Sequence, residues 1–268
     1  MIEERKNGEK MEIARILLKI VMWILIVGFG CNFILQTISY SFYKGAKKMT
    51  DIVCTPQYIQ ITDSLTGYGH NLDRDSDKII LFFGGSNYVA YNSVGKYANR
   101  FACPFISVDY YGTQDSKGKM NLSSMQQSAL DLYDWAKQQY PQSEIIIMGH
   151  SYGTGIATYL ASERKCKNLI LAAGYRDISD LYNKIIPIFW GPFKVFISNN
   201  ICTKEYAKTV DSSVYIIGSK KDKTLNAELQ KKLVTCFENA EIKIFEDVTH
   251  EDYFVTESVI DYINQVIE

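Results

Sequence analysis

Net charge is almost absent: 29 Lys and Arg against 30 Asp and Glu leave −1 over 268 residues. Without a strong field of either sign, nucleic acid and acidic macromolecules are not expected as partners. Metal-ligand spacing is missing as well. The six cysteines (Cys31, Cys54, Cys103, Cys166, Cys202 and Cys236) form no C-x-x-C pair and do not cluster with the three histidines, so no metal site is expected. Cys103 and Cys236 lie in apolar segments and read as small buried hydrophobes. Cys54 and Cys202 lie in less regular stretches, where a disulfide is neither required nor excluded. Neither G-x-G-x-x-G nor G-x-x-x-x-G-K-[ST] occurs, which argues against dinucleotide and P-loop phosphate sites, and no cofactor is expected. There is no internal repeat or low-complexity tract. The length suits one α/β domain with an appendage. Tyrosine, by contrast, is abundant at 19 residues, which fits either half-buried core positions or surfaces that touch lipid and organic substrates.

Residues 16–35, ILLKIVMWILIVGFGCNFIL, are interrupted only by Lys19 and Asn32. Twenty such residues match the roughly 30 Å apolar thickness of a bilayer. No A-x-A-like cleavage site follows and residues 20–31 show no polar face, so a retained single-pass anchor is expected rather than a signal peptide or a surface helix. Arg5, Lys6, Lys10, Arg15 and Lys19 precede or open the run, and Lys44, Lys47 and Lys48 follow it. That balance leans toward residues 1–15 on the cytoplasmic side and an extracytoplasmic domain. Residues 36–56 read as a polar linker, so a chain beginning near residue 50 is expected to be soluble and active.

From residue 57 the pattern alternates. Apolar runs at 78–83, 104–109, 144–148, 168–173, 213–218 and 241–245 are separated by helix-like stretches at 122–140, 152–164, 225–238 and 252–267. Such alternation implies a mostly parallel sheet with helices on both faces. Met125, Ala129, Leu132 and Trp135 recur at helical spacing and are expected in the core.

Within EIIIMGHSYGTG, residues 144–155, the pattern G-x-S-x-G places Ser151 between a strand and a helix. Small neighbours at Gly149 and Gly153 let the two backbones pass closely, the requirement for a nucleophile elbow. A serine hydroxyl needs a base, normally histidine. His150 adjoins the nucleophile and should point away as a packed polar residue, and His70 lies in GYGHNLD, read as a surface turn. His250 follows the last strand and falls on a loop at the sheet's carboxyl edge, where a base can reach Ser151. An acid on a separate loop fixes the ring best, which selects Asp222, just past the strand at 213–218, over Asp247. Lys220, Lys221 and Lys223 around it read as a solvated loop. The oxyanion donors are expected to be the backbone N–H of Tyr152 and that of Gly85 or Ser86 in FFGGSN.

The order FFGGSN, VDYYG, GHSYG, GSKKD and DVTHED resembles the α/β-hydrolase fold over residues 57–267. The segment DYYGTQDSKGKMNLSSMQQSALDLYDW is similar to the membrane-anchored Bem46-like branch, whose D-Y-R-G-Y-G-x-S-x-G segment leads into the same helix. The resemblance implies about eight strands with the second antiparallel, and Ser151, Asp222 and His250 as nucleophile, acid and base. The chain departs from the family at Phe83-Gly84, where H-G is usual, so its oxyanion loop should be held differently.

A cap is expected at about 176–212, within the 57–268 domain. Its IIPIFWGPFKVFI segment carries Phe189, Trp190 and Phe193, assigned to substrate binding; pocket lining, contact with a bilayer surface and simple packing of the cap all fit these rings. The sequence therefore reads as a membrane-anchored serine hydrolase acting on a small or lipid-like acyl ester or thioester through an acyl-enzyme. A serine peptidase of the same fold and a non-catalytic binding protein are the alternatives.

Overall fold

The computed structural model describes residues 2–268. One helix, α1 (Ile2–Gly45), leads into an eight-stranded sheet. Chain order from there is β1 (Gln57–Gln60), β2 (Thr66–His70), β3 (Lys78–Phe83), α2 (Ala90–Tyr97), β4 (Phe105–Val108), α3 (Leu122–Gln139), β5 (Glu144–His150), α4 (Gly153–Glu163) and β6 (Asn168–Ala172). The short helices α5 (Ile178–Tyr182) and α6 (Thr203–Tyr206) flank a 3-10 turn at Gly191–Phe196, and these form the cap. β7 (Ser213–Ser219), α7 (Ala227–Val234), β8 (Ala240–Phe245) and α8 (Glu257–Ile267) complete the domain. The sheet order is β1-β2-β4-β3-β5-β6-β7-β8, and only β2 runs against its neighbours.

The central strands are apolar runs because helices cover both of their faces. Every residue of β6, and all but the first of β5, is buried. Edge strand β8 alternates instead. Consecutive residues point to opposite faces: Gly149 abuts Ala157 of α4, whereas His150 packs on Phe254, just before α8. Six strands fall where the apolar runs predict them. β1 and β2 are too short, and β2 too glycine-rich, for the pattern to reveal. His70 is accordingly the last residue of β2 rather than part of a surface turn. Trp135 is half-buried against Tyr140. All six cysteines are free; Cys103 is buried, while Cys236 is only half-buried.

Residues 36–45 are not a linker. They continue α1, and the helix buries one stripe, Gly28, Asn32, Leu35 and Tyr43, against the domain at spacings of three, four and eight. Tyr43 is fully buried, with its ring 5.9 Å from Tyr110 and 5.8 Å from Tyr152. A chain beginning near residue 50, expected from the sequence to be soluble and active, lacks this part of the core.

Candidate active site

β5 ends at His150 and α4 begins at Gly153, so Ser151 and Tyr152 make the reversal. Ser151 has φ 51°, left-handed backbone that costs a residue with a side chain on the order of 1–3 kcal/mol. Neighbouring structure holds it there. Its N–H donates to Ala172 O at 3.0 Å, and a Cβ at position 153 would collide with the carbonyls of Phe83 and Gly84.

Ser151 Oγ lies 2.9 Å from His250 Nε2, and His250 Nδ1 lies 2.9 Å from Asp222 Oδ2. With Nδ1–H directed at the carboxylate, Nε2 is left to accept from the serine hydroxyl. Asp222 is 1% exposed. Its Oδ1 accepts from Thr224 N–H at 2.8 Å and Leu225 N–H at 2.9 Å, and its Oδ2 also accepts from the Tyr253 hydroxyl at 3.2 Å. Burial pushes this carboxyl up, but His250 and the backbone donors outweigh it, so its pKa lies below the ordinary value. The rival Asp247 is exposed and pairs with Lys221 at 2.6 Å. Lys220 pairs with Glu246, as a solvated loop should.

His150 does point away from Ser151, yet it is more than a packed residue. Its Nε2 donates to the carbonyl of His250 at 2.8 Å, fixing the loop that carries His250. Burial first, then the neighbouring His250, push its pKa down to about 4, so it is a neutral donor at ordinary pH. Tyr253 and this use of His150 escape sequence reasoning; for His150 the only available signal is its place beside the elbow.

A Cβ on Gly85 would stand 2.8 Å from Ser151 Cβ, so the loop backbone passes directly over the serine. Ser86 is exposed at the cavity mouth. Among the described residues, the N–H groups of Gly85, Ser86 and Tyr152 have no hydrogen-bond acceptor. In place of a histidine before this loop, the ring of Tyr88 lies against Gly84, and its hydroxyl bonds to Ser107.

Ser151 and His250 open into a cavity of about 520 Å³. Leu35, Ile38 and Phe42 of α1 form one wall, and Leu181, Tyr182 and Ile185 of the cap form another. Phe189, Trp190 and Phe193 do not line it, which corrects their assignment to substrate binding. Phe189 is buried against Tyr182 and clamped by Asn183, which bonds to its N–H and its carbonyl at 2.8 Å each. Trp190 and Phe193 face a separate groove against α1. The described residues hold no cluster of metal-ligating side chains.

Residues 82–191 match the family described as alpha/beta hydrolase fold. The chain is 30% identical over 145 residues to the lysophosphatidylserine lipase ABHD12 of Danio rerio, covering 48% of this chain and 38% of that protein. It is 28% identical over 156 residues to human Protein ABHD12B, covering 50% and 42%. These matches thus span less than half the length of those relatives. Among solved structures, the Pyrococcus furiosus esterase Pf2001 superposes with a TM-score of 0.61 at 16% identity, covering 83% of this chain and 94% of that one. Est1E from Butyrivibrio proteoclasticus gives 0.59 at 15% identity, covering 80% and 98%. Strand order, elbow and these likenesses agree: the chain has the α/β-hydrolase fold.

Proposed function

We propose that this protein is a membrane-anchored serine hydrolase of single-chain acyl esters. The reading is carried by the unbroken line of hydrogen bonds from Ser151 through His250 to Asp222. Ser151 Oγ attacks the acyl carbonyl carbon while His250 Nε2 takes its proton. The oxyanion is received by the N–H of Tyr152 and of Gly85, whose backbone passes directly over the serine. Collapse breaks the ester C–O bond, and His250 passes its proton to the departing alkoxide. Water, activated by the same nitrogen, then hydrolyses the acyl-serine. Asp222 stays ionised, orients the ring and stabilises the imidazolium.

The cavity supports an acyl substrate, since its volume suits a small organic ligand and its α1 and cap walls are largely apolar. Lys96 and Lys184 also line it, and neither forms an ion pair among the described residues; Glu251, at the same cavity, offsets part of their charge. Two free ammonium groups favour an anionic headgroup, in keeping with the lysophosphatidylserine lipase relatives. Residues 7–45 form a helix apolar enough to cross a bilayer, which supports an anchor, and the basic residues before it favour a cytoplasmic N-terminus. The test is hydrolysis by the full chain in vesicles of lysophosphatidylserine, lysophosphatidylcholine, a short-chain nitrophenyl ester and an aminoacyl amide. Ester turnover, fastest on the anionic lysolipid and lost in Ser151→Ala, is expected. Turnover of the amide alone would make it a peptidase, and turnover of none would make it a binding protein.

A further inference from the structure

Over residues 28–34 the helix α1 is apolar outward and small or polar inward. Phe29, Phe33 and Ile34 are 50%, 71% and 54% exposed, while the residues turned to the domain at the same level are Gly28 and Asn32. A helix in water buries its large apolar residues; one that faces lipid packs through its small and polar ones.

What packs there is the cap. A Cβ on Gly28 would stand 2.5 Å from the ring of Phe196, and Phe29 meets the same ring edge-on at 5.2 Å. Trp23 and Val27 of α1 face Trp190 and Phe193 across a groove whose lining is almost wholly apolar. One turn toward the domain, the chemistry changes on both elements together. Asn32 donates to the Ser198 hydroxyl at 2.9 Å, and Gln36 donates to it at 3.0 Å. The polar boundary of the helix and that of the cap are thus at one level. Gly28 lies seven residues inside the end of the apolar run at Leu35, about 10 Å along the axis.

On the other side of the 3-10 turn, Trp190 is 60% exposed and Val195 73%. The turn's one charge, Lys194, points inward and is neutralised by buried Asp177 at 2.7 Å. Ile185, 66% exposed, continues this apolar surface to the cavity mouth.

We infer that the cap turn Gly191–Phe196 is inserted among the acyl chains of the same leaflet that α1 leaves, so that the Ser151 cavity opens to lipid drawn sideways from the bilayer. The inference rests on the reading of residues 16–35 as a membrane span. If that stretch lies in lipid, a turn seated against Gly28, about 10 Å inside its end, lies there too, close to the depth of roughly 5–10 Å typical of interfacial segments.

The experiment uses the full chain in phosphatidylcholine vesicles with acyl chains either brominated or not. Three variants each keep one tryptophan: Trp23 (W135F, W190F), Trp190 (W23F, W135F) and Trp135 (W23F, W190F). Brominated chains should remove roughly half or more of the Trp23 and Trp190 emission and spare Trp135 on α3. Quenching of Trp23 without Trp190 overturns the inference and leaves the anchor standing. So does a Trp190 that is shielded by a second copy, revealed by cross-linking. If neither is quenched and the protein washes off the vesicles, the span reading fails and takes the inference with it. A second measurement avoids the tryptophans: Val195→Lys should slow turnover of vesicle-borne lysolipid several-fold and leave a soluble short-chain ester unchanged. The same fold-change, or none, on both substrates would also overturn it.

Discussion

The two sides of the cavity are built differently. The wall carrying Ser151, Asp222 and His250 is made of strand ends, where each residue is held from several sides: Ser151 by a left-handed backbone, the Asp222 carboxylate by two backbone donors and a tyrosine, and the His250 loop by the bond from His150 to its carbonyl. The facing wall is made of helices, α1 and the cap, that meet through an edge-on aromatic pair and a few polar ties. Chemistry needs atoms held within fractions of an ångström, and a continuous sheet provides that. Selecting a flexible acyl chain needs shape and greasiness, which packed helices can supply and vary. The account therefore separates by wall: changes on the sheet side should act on kcat, and changes on the helix side on stability, KM and membrane dependence.

The largest break should come at Ser151. Ser151→Ala should lower kcat by about 10⁴-fold or more while circular dichroism and melting stay near wild type, because the elbow tolerates a small side chain. Next is Asp222→Asn, expected to lower kcat by about 10³–10⁴-fold with KM little changed, since the lost charge acts on the transition state. Asp247→Asn, at the exposed ion pair with Lys221, should cost at most about two-fold, in line with the small worth of surface pairs. The reverse ranking of the two aspartates would move the acid to Asp247.

On the helix side, Tyr43→Ala should destabilise the domain by about 3–5 kcal/mol, as for other large-to-small core changes, read as a lower denaturant midpoint. Tyr43→Phe should be neutral or stabilising, because the buried hydroxyl has no partner among the described residues. A chain starting at residue 50 that melts like the full protein would show the α1 contact to be dispensable.

These predictions follow the line between what the sequence reveals and what it does not. The apolar runs of β3, β5 and β6 are legible because both faces are buried, and Ser151 is legible because the elbow imposes glycine on its neighbours. Asp222 and His250 follow from chain order along the sheet edge. The inner face of α1 is hidden because hydrophobicity is nearly uniform around residues 16–35, and two of the three buried positions there, Gly28 and Asn32, are small or polar rather than large and apolar. Phe189, Trp190 and Phe193 mislead because aromatic content does not name the partner: Phe189 packs within the cap against Tyr182, and Trp190 and Phe193 face the groove along α1.

Smaller effects sharpen the contrast. His150 ionises near pH 4 when folded and near 6.5 when unfolded, so between those values the unfolded chain binds the extra proton. Its contribution to stability is complete above about pH 6.5 and is lost as pH falls toward 4. Asp109 acts in the opposite direction over much of the same window: burial pushes its carboxyl up to about 7, so the folded state binds the proton. The readout is therefore the difference between wild type and His150→Gln, and wild type should lose more stability than the variant between pH 6.5 and 4. A difference independent of pH would mean His150 is not buried as described. Last, Lys96→Ala and Lys184→Ala should each raise KM for an anionic lysolipid a few-fold without affecting a neutral short-chain ester.

The central claim, that Ser151 is the nucleophile the sheet side exists to hold, is tested most directly by mass spectrometry of the full chain after a fluorophosphonate probe. The account predicts one probe adduct, on the peptide containing Ser151, absent from Ser151→Ala and much slower to form in Asp222→Asn. An unlabelled folded protein, or an adduct on any other residue, would contradict it.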